Sequence, residues 1–377
     1  MPVYLDFNAS TPLDERVLAH MIEVYRHHFG NADSRTHVFG TSAKEILSEA
    51  RRTLAGMLGL DGTDVLFTSG STESNNMAVL GLLEQAKETG RTHFITTAIE
   101  HKSVLEAMRY MERQGCTVDY ISPSQGGRIQ PGQILERVSE KTLLVSMMHV
   151  NSETGIIQPI EEVGAALAST AAYFHIDATQ GFGKLGEELR RTKYDMLSIA
   201  SHKLGGPQGI GAFVLRRDRS YRRPPVKPLM YGGPQERGFR PGTTPVALAA
   251  GFAAAAKLCG EEAKQRLADC ERIKQSFLKA VAGLDYQVNG DQSYCLPSTI
   301  NISFRGVDAE GLFLAMKDDY AFSNGSACNS GSHVPSYVLQ AMGLPEDRIN
   351  QAVRISWDHN TEVDFSALTA YIQSIIE

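Results

Sequence analysis

The 377-residue chain has a single tryptophan and no run of the roughly 18 apolar residues that a membrane span needs. Residues 1–11 hold no basic segment followed by an apolar one, so no secretory leader is read there. Lys and Arg number 37 against 43 Asp and Glu, a formal net charge of -6, and there is no basic block. Charge therefore gives no support for a direct nucleic-acid or membrane partner. The expectation is a cytoplasmic protein acting on small or enclosed substrates. The cysteines, Cys116, Cys259, Cys270, Cys295 and Cys328, are odd in number, with no C-x-x-C and no metal-like spacing to histidine. A disulfide framework or structural zinc site is not expected. Also missing are G-x-x-x-x-G-K-[ST], G-x-G-x-x-G and any internal repeat, so no nucleotide is specifically indicated.

What is present is an alternation. Short apolar runs "DVLFTS" (64–69), "HFITTA" (93–98), "TVDYIS" (117–122), "LLVSMMHV" (143–150), "AYFHID" (172–177), "DMLSIA" (195–200) and "GAFVLRR" (211–217) read as strands. Segments between them, such as "ILERVSEK" and "IEEVGAALAST", have helical apolar spacing. The pattern predicts an α/β fold whose large domain has a mostly parallel, helix-covered seven-stranded sheet. Residues 243–284 are rich in helix formers and read as one or two long helices leaving that domain. "STINISF" (298–304) and "QAVRISW" (351–357) then look like strands of a smaller α+β domain, with "VDAEGLFLAMKD" a helix between them. The expected division is 15–257 for the large domain, with 1–14 and 258–377 forming the small one.

Four stretches carry chemistry. In "FTSGSTESNN" (67–76) a strand ends, Gly70 permits a turn, and Ser71 and Thr72 stand where a helix begins. Free N–H groups and hydroxyls there suit a phosphate, although a Ser/Thr-capped helix has the same pattern. "AYFHIDATQGFGK" delivers Asp177 at a strand end, where open α/β sheets place ligands, followed by Gln180. In "SIASHKLGGPQGIGAFVLRRD" Lys203 follows an apolar strand and precedes a Gly-rich turn. Such an amine can form a Schiff base with an aldehyde cofactor. In "TTAIEHKSVLEAM" His101 opens a helix, where it can stack on a flat ring and shuttle protons or serve simply as a polar helix start. Each signal alone is ambiguous. A phosphate cradle, a strand-end Asp and, about 25 residues later, a Gly-flanked Lys are together the parts that pyridoxal 5'-phosphate requires.

At this point the chain strongly resembles the cysteine desulfurases of the NifS/IscS type, in the class V aminotransferase group of fold-type I pyridoxal-phosphate enzymes. The likeness runs through "YLDFNASTPLD", "GNADSRTHVFG", "FTSGSTESNN", "EHKSV", "MMHVNSETGIIQPI", "HIDATQGFGK", "SHKLGGPQGIGA", "RPGTTPV", "SNGSACNSGS" and "VRISW". The resemblance implies that Lys203 binds the cofactor covalently, Asp177 partners the pyridine nitrogen, Gln180 bonds the ring hydroxyl and His101 stacks on the ring. Thr72 and His202, beside Ser71 and Ser201, would hold the phosphate. Thr243 would reach the phosphate of the neighbouring subunit, so a homodimer is implied. Arg354 would clamp the substrate carboxylate. Two positions depart from the pattern: Ser152 stands where many relatives have Asn beside the cofactor and substrate, and Ala200 where relatives often have Ser, with the hydroxyl next door on Ser201.

Cys328, in the bare stretch "AFSNGSACNSGSH" (321–333), matches the family's nucleophile. The resemblance implies attack by its thiolate on the sulfur of L-cysteine, giving alanine and a persulfide for a protein sulfur acceptor. The small polar residues around it are expected to form a tether with an inner and an outer position for the thiol. The resemblance implies a further C-terminal extension in relatives that serve iron–sulfur scaffolds; the sequence stops after "SWDHNTEVDFSALTAYIQSIIE", and the expectation drawn from this is a dedicated pathway, such as DNA phosphorothioation or a specialised cluster. Rival readings are a selenocysteine lyase or transaminase on the same fold, or a non-catalytic sulfur-relay partner. A transaminase would not need Cys328, and a relay partner would not need Lys203, Asp177 and His101. The other cysteines are read as inert, and His149 and His175 as hydrogen-bonded core residues.

Overall fold

The computed structural model describes residues 2–218, 220–323 and 335–376. Its strands are β1 (Val3–Tyr4), β2 (Val65–Thr68), β3 (His93–Thr97), β4 (Thr117–Ile121), β5 (Thr142–Met148), β6 (Tyr173–Asp177), β7 (Met196–Ala200), β8 (Gly211–Leu215), β9 (Tyr286–Val288), β10 (Thr299–Phe304), β11 (Tyr320–Ala321) and β12 (Ala352–Ser356). The seven from β2 to β8 form one sheet in the order β2-β8-β7-β6-β5-β3-β4. All pairings are parallel except those of β8, which runs antiparallel to both β2 and β7. Every residue of β2, β5, β7 and β8 is buried. Strands covered on both faces need no polar alternation, which is why these segments read as continuous apolar runs.

The predicted strands lie within two residues of their observed ends. "ILERVSEK" does not form the expected helix: only Pro131–Leu135 is helical, and the backbone N–H of Ser139 turns to the Thr142 hydroxyl at 2.8 Å instead. Two long helices before β2, Glu15–His27 and Val38–Leu58, carry no motif of the kind that flagged the site. The second stops at Gly59, whose φ of 69° favours glycine and lets the N–H of Leu60 reach the Ala55 carbonyl at 2.9 Å.

The helix-rich stretch is one helix, Val246–Ala280. Its first half packs Ala249, Phe252, Ala256 and Cys259 into the core beneath the large sheet. Its second half packs Cys270 and Phe277 into a separate core with β10, β12 and Trp357. The antiparallel trio β12-β10-β9 backs that second core, and β1 pairs with β11 beside it. No helix among the described residues is long and apolar enough to cross a membrane.

Candidate active site

The site lies at the carboxyl ends of the parallel strands. Asp177 is the last residue of β6 and is buried. Its Oδ1 accepts from the Thr179 N–H at 3.0 Å and from the Thr179 hydroxyl, and its Oδ2 accepts from Asn75 Nδ2 at 2.8 Å. Asn75 comes from the helix Ser71–Leu80, which starts just after β2. The same amide donates to Ser103 Oγ at 2.9 Å, and Ser103 Oγ lies 2.8 Å from His101 Nδ1. His101 is the N-cap of the helix Lys102–Arg113, so its Nδ1 also accepts the Ser103 backbone N–H at 3.1 Å. A backbone N–H can only donate; the hydrogen-bond network thus assigns the ring proton of neutral His101 to Nε2. Burial lowers the basicity of His101, the nearby Asp177 carboxylate opposing it, which keeps the ring neutral near pH 7.

A second chain of contacts joins Lys203, Gln180, Ser152 and Arg354 through a residue the sequence reading did not single out, Asn8. Lys203 ends the short turn Ser201–Lys203 directly after β7. Its Nζ donates to the carbonyls of Asn8 and Ala9, each at 2.6 Å. Gln180 Nε2 donates to the same Asn8 carbonyl at 2.9 Å. Asn8 Nδ2 in turn donates to the Ser152 carbonyl at 3.0 Å, which also receives Arg354 Nη1 at 3.0 Å. Arg354 Nη2 reaches Asp6 Oδ1 at 2.5 Å and Ser323 Oγ at 2.9 Å. Thr11 bonds the His202 carbonyl through both its N–H and its hydroxyl, and so fixes residues 8–11 on the lysine turn.

Burial, with the positive charges of Arg354 and Lys184 behind it, brings the Lys203 amine down to about 7. Burial and the charge of Lys203 take His202 down to about 4, so it too is neutral at physiological pH. A neutral amine is the form that attacks a carbonyl carbon.

Ser71 and Thr72 open their helix after Gly70, which supplies no side-chain cap. Glu73 reaches back to the Ser69 N–H at 2.6 Å, and the first-turn N–H groups have no side-chain cap. Ser201 stands apart. Its hydroxyl is fully buried without a hydrogen-bond partner, and a Cβ on Gly206 would meet it at 2.1 Å. Thr243 is exposed on the loop before the long helix and contacts none of these groups. Cys328 lies outside the described residues.

The four described cysteines are free, and burial raises each thiol, Cys270 to about 12. Such thiols are poor nucleophiles. His175 is a core residue between Ser146 and Ser198, with burial pressing it down to about 4, and His149 is fully buried against Glu188. The sequence reading passed over Asn8, Asn75, Ser103 and Asp6. Two were visible as asparagines inside quoted motifs, but nothing local marks an amide that will bridge two chain segments.

A poorly basic lysine, a strand-end carboxylate and an uncapped helix start together suit a phosphorylated aldehyde with a ring nitrogen. The sequence model of the aminotransferase class-V family matches residues 3–366. "Cysteine desulfurase IscS" of Neisseria meningitidis serogroup C (strain 053442) is 39% identical over 370 residues, 97% of this chain and 90% of that protein. The crystal structure of DndA from Streptomyces lividans is 43% identical with a TM-score of 0.83, over 93% of this chain and 98% of that one. A structure described as "SspA in complex with cysteine" is 34% identical with a TM-score of 0.82, over 94% of this chain and 98% of that one. The chain belongs to the class-V aminotransferase family and is one of its cysteine desulfurases.

Proposed function

We propose that this enzyme binds pyridoxal 5'-phosphate, takes L-cysteine as substrate, and passes its sulfur to Cys328 as a persulfide for a protein acceptor. The observation that carries the reading is the Lys203 amine, lowered to about 7 and hydrogen-bonded through Asn8 to the chain that ends on Arg354. The cofactor fits the residues present. Lys203 would hold its aldehyde carbon, Asp177 its ring nitrogen, Gln180 its ring hydroxyl, and Ser71, Thr72 and His202 its phosphate, with His101 over the ring; the enclosed Ser201 hydroxyl does not fit the phosphate role expected of it. Asn75 Oδ1, buried without a hydrogen-bond partner beside Asp177, is a polar atom that a ring substituent or water would satisfy. When bound, the cofactor supplies an electron sink for the substrate's α carbon.

The protein's own groups do the rest. Arg354, braced by Asp6 and the Ser152 carbonyl, orients the substrate carboxylate. Lys203 Nζ, neutral above about 7, accepts the α proton. His101, protonated on Nε2, is placed to donate a proton. The Cys328 thiolate attacks the substrate sulfur: an S–S bond forms, the C–S bond breaks, and its electron pair stays on carbon and is protonated. Net, cysteine and the Cys328 thiol become alanine and a Cys328 persulfide, with no outside oxidant or reductant.

The proposal includes a homodimer, supported by the exposed Thr243 and by Tyr221 and Tyr231, which stand 78% and 87% exposed. It includes a cytoplasmic setting, where thiols stay reduced. It also includes a domain boundary near residue 257, supported by the passage of one helix from the first core at Cys259 to the second at Cys270. The test is a pair of variants. Lys203→Ala is expected to abolish alanine formation, and Cys328→Ala to keep the yellow absorbance of the bound cofactor yet form no alanine. Full turnover of cysteine by Cys328→Ala would turn the reading toward a lyase or transaminase.

A further inference from the structure

Ser323 and Ser336 flank the stretch that contains Cys328, and both are themselves among the described residues. At Ser323 the backbone N–H and carbonyl pair with those of Arg354, at 3.3 and 2.6 Å. Its hydroxyl donates to Asp6 Oδ1 at 3.1 Å. Ser336 is held differently. It caps the helix Tyr337–Ala341, accepting the Leu339 N–H at 3.1 Å, while its hydroxyl donates to Glu153 Oε2 at 2.5 Å. Glu153 is 3% exposed, and burial raises its carboxyl above the ordinary range.

Glu153 follows Ser152 in a turn built around Asn151, whose Oδ1 accepts the N–H groups of Glu153 and Thr154, each at 2.9 Å. Asn301 Nδ2 fastens the Glu153 carbonyl at 3.2 Å. The turn is rigidly placed, and the carbonyl just before Glu153 is the one that receives Arg354 and Asn8. The helix Tyr337–Ala341 is seated on the same ground, with the Tyr337 hydroxyl on the Glu100 carbonyl at 2.7 Å and Val338, Leu339 and Met342 against Ile99 and Met148. Both flanks are therefore referenced to Arg354: Ser323 directly, Ser336 through Glu153 and Ser152. A fully buried carboxyl group is a costly way to hold one serine, since desolvating it works against the fold.

We infer that Glu153 is a positioning residue for sulfur transfer, registering the Ser336 flank of the cysteine-bearing stretch to the turn that braces the substrate-binding arginine. The inference rests on the proposed role of Cys328. Bond-making between two sulfur atoms is sensitive to placement, and a misplacement of about 1 Å can cost on the order of a hundredfold in rate.

The test uses the full-length, cofactor-loaded enzyme and two readouts: the absorbance change when cysteine is added, and the single-turnover rate at which sulfur appears on Cys328 by mass spectrometry. Glu153→Ala is expected to slow sulfur arrival by on the order of tenfold or more while leaving the absorbance change near its normal rate. Glu153→Gln, which keeps an acceptor oxygen, is expected to restore most of the rate. Ser336→Ala removes the same bond from its other end and carries the same expectation, so a Glu153→Ala variant that fails to fold leaves the inference open to refutation. Sulfur arrival at the normal rate in both alanine variants overturns it. Equal loss in both readouts also overturns it, by making Glu153 a residue of the fold alone. If Cys328 of the unsubstituted enzyme gains no sulfur, the role of Cys328 falls, and the inference falls with it.

Discussion

Lys203, Asp177 and His101 were legible because each sits at a strand end or helix start beside small residues, where polar groups are otherwise unneeded. Asn8 and Asn75 were not, because their value lies in bridging segments 144 and 102 residues apart, a property of tertiary placement. The lowered basicity of Lys203 makes a testable claim about the cofactor-free protein. Its neutral fraction should be substantial at pH 8, so Lys203 is expected to react with cyanate faster than the surface lysines do, read by peptide mass spectrometry. A modification rate no faster than the surface average would contradict it. Glu100, fully buried beside His101, makes a second claim. Burial raises its carboxyl to about 8, while the Thr97 hydroxyl and the Met148 N–H oppose the shift. A raised folded value means its contribution is fully present below the unfolded value and is lost as pH rises towards about 8. Glu100→Gln is expected to flatten the fall in stability over that window by on the order of a few kcal/mol, measured by denaturant unfolding at several pH values. For His101, replacement by Gln is expected to lower kcat by on the order of a hundredfold or more with the bound cofactor's absorbance retained.

Among the elements, the strands were legible from their apolar runs, whereas the failure at 134–141 shows the limit of periodicity. Ile134 and Val138 have helical spacing, yet the segment is too short to pay for a helix once Ser139 has a side-chain partner in Thr142. The loop before the long helix has the clearest local strain. Glu236 and Arg237 take φ values of 45° and 58°, which non-glycine residues rarely adopt. They are held there because the Glu236 carboxylate pairs with Arg51 and accepts the Phe67 N–H at 2.9 Å and the Thr244 hydroxyl at 3.0 Å. Glu236→Ala removes an almost fully buried partner and is expected to cost about 3 to 5 kcal/mol of stability, read from the shift in the denaturant midpoint. A cost near zero would mean that the strained loop is held by other contacts.

On the scale of the whole molecule, the sequence foretold a seven-stranded, mostly parallel sheet but could not foretell its order. The last of the seven strands, β8, inserts between β2 and β7, and only long-range pairing decides that. The same arrangement puts Asp177 and Lys203 at the ends of neighbouring strands, β6 and β7, and the small antiparallel trio brings Arg354 on β12 within electrostatic reach of Lys203. In the sequence, Cys328, the proposed sulfur acceptor, falls between two flanks, Ser323 bonded to Arg354 of that trio and Ser336 bonded to Glu153 in the turn after β5. The most direct measurement is a single turnover of the cofactor-loaded enzyme with L-cysteine, counting alanine released and sulfur added to Cys328 by intact-peptide mass spectrometry. One alanine and one sulfur on Cys328 per active site, with none on Cys116, Cys259, Cys270 or Cys295, is the predicted result. Alanine released at the full rate with no sulfur on Cys328 would contradict the account.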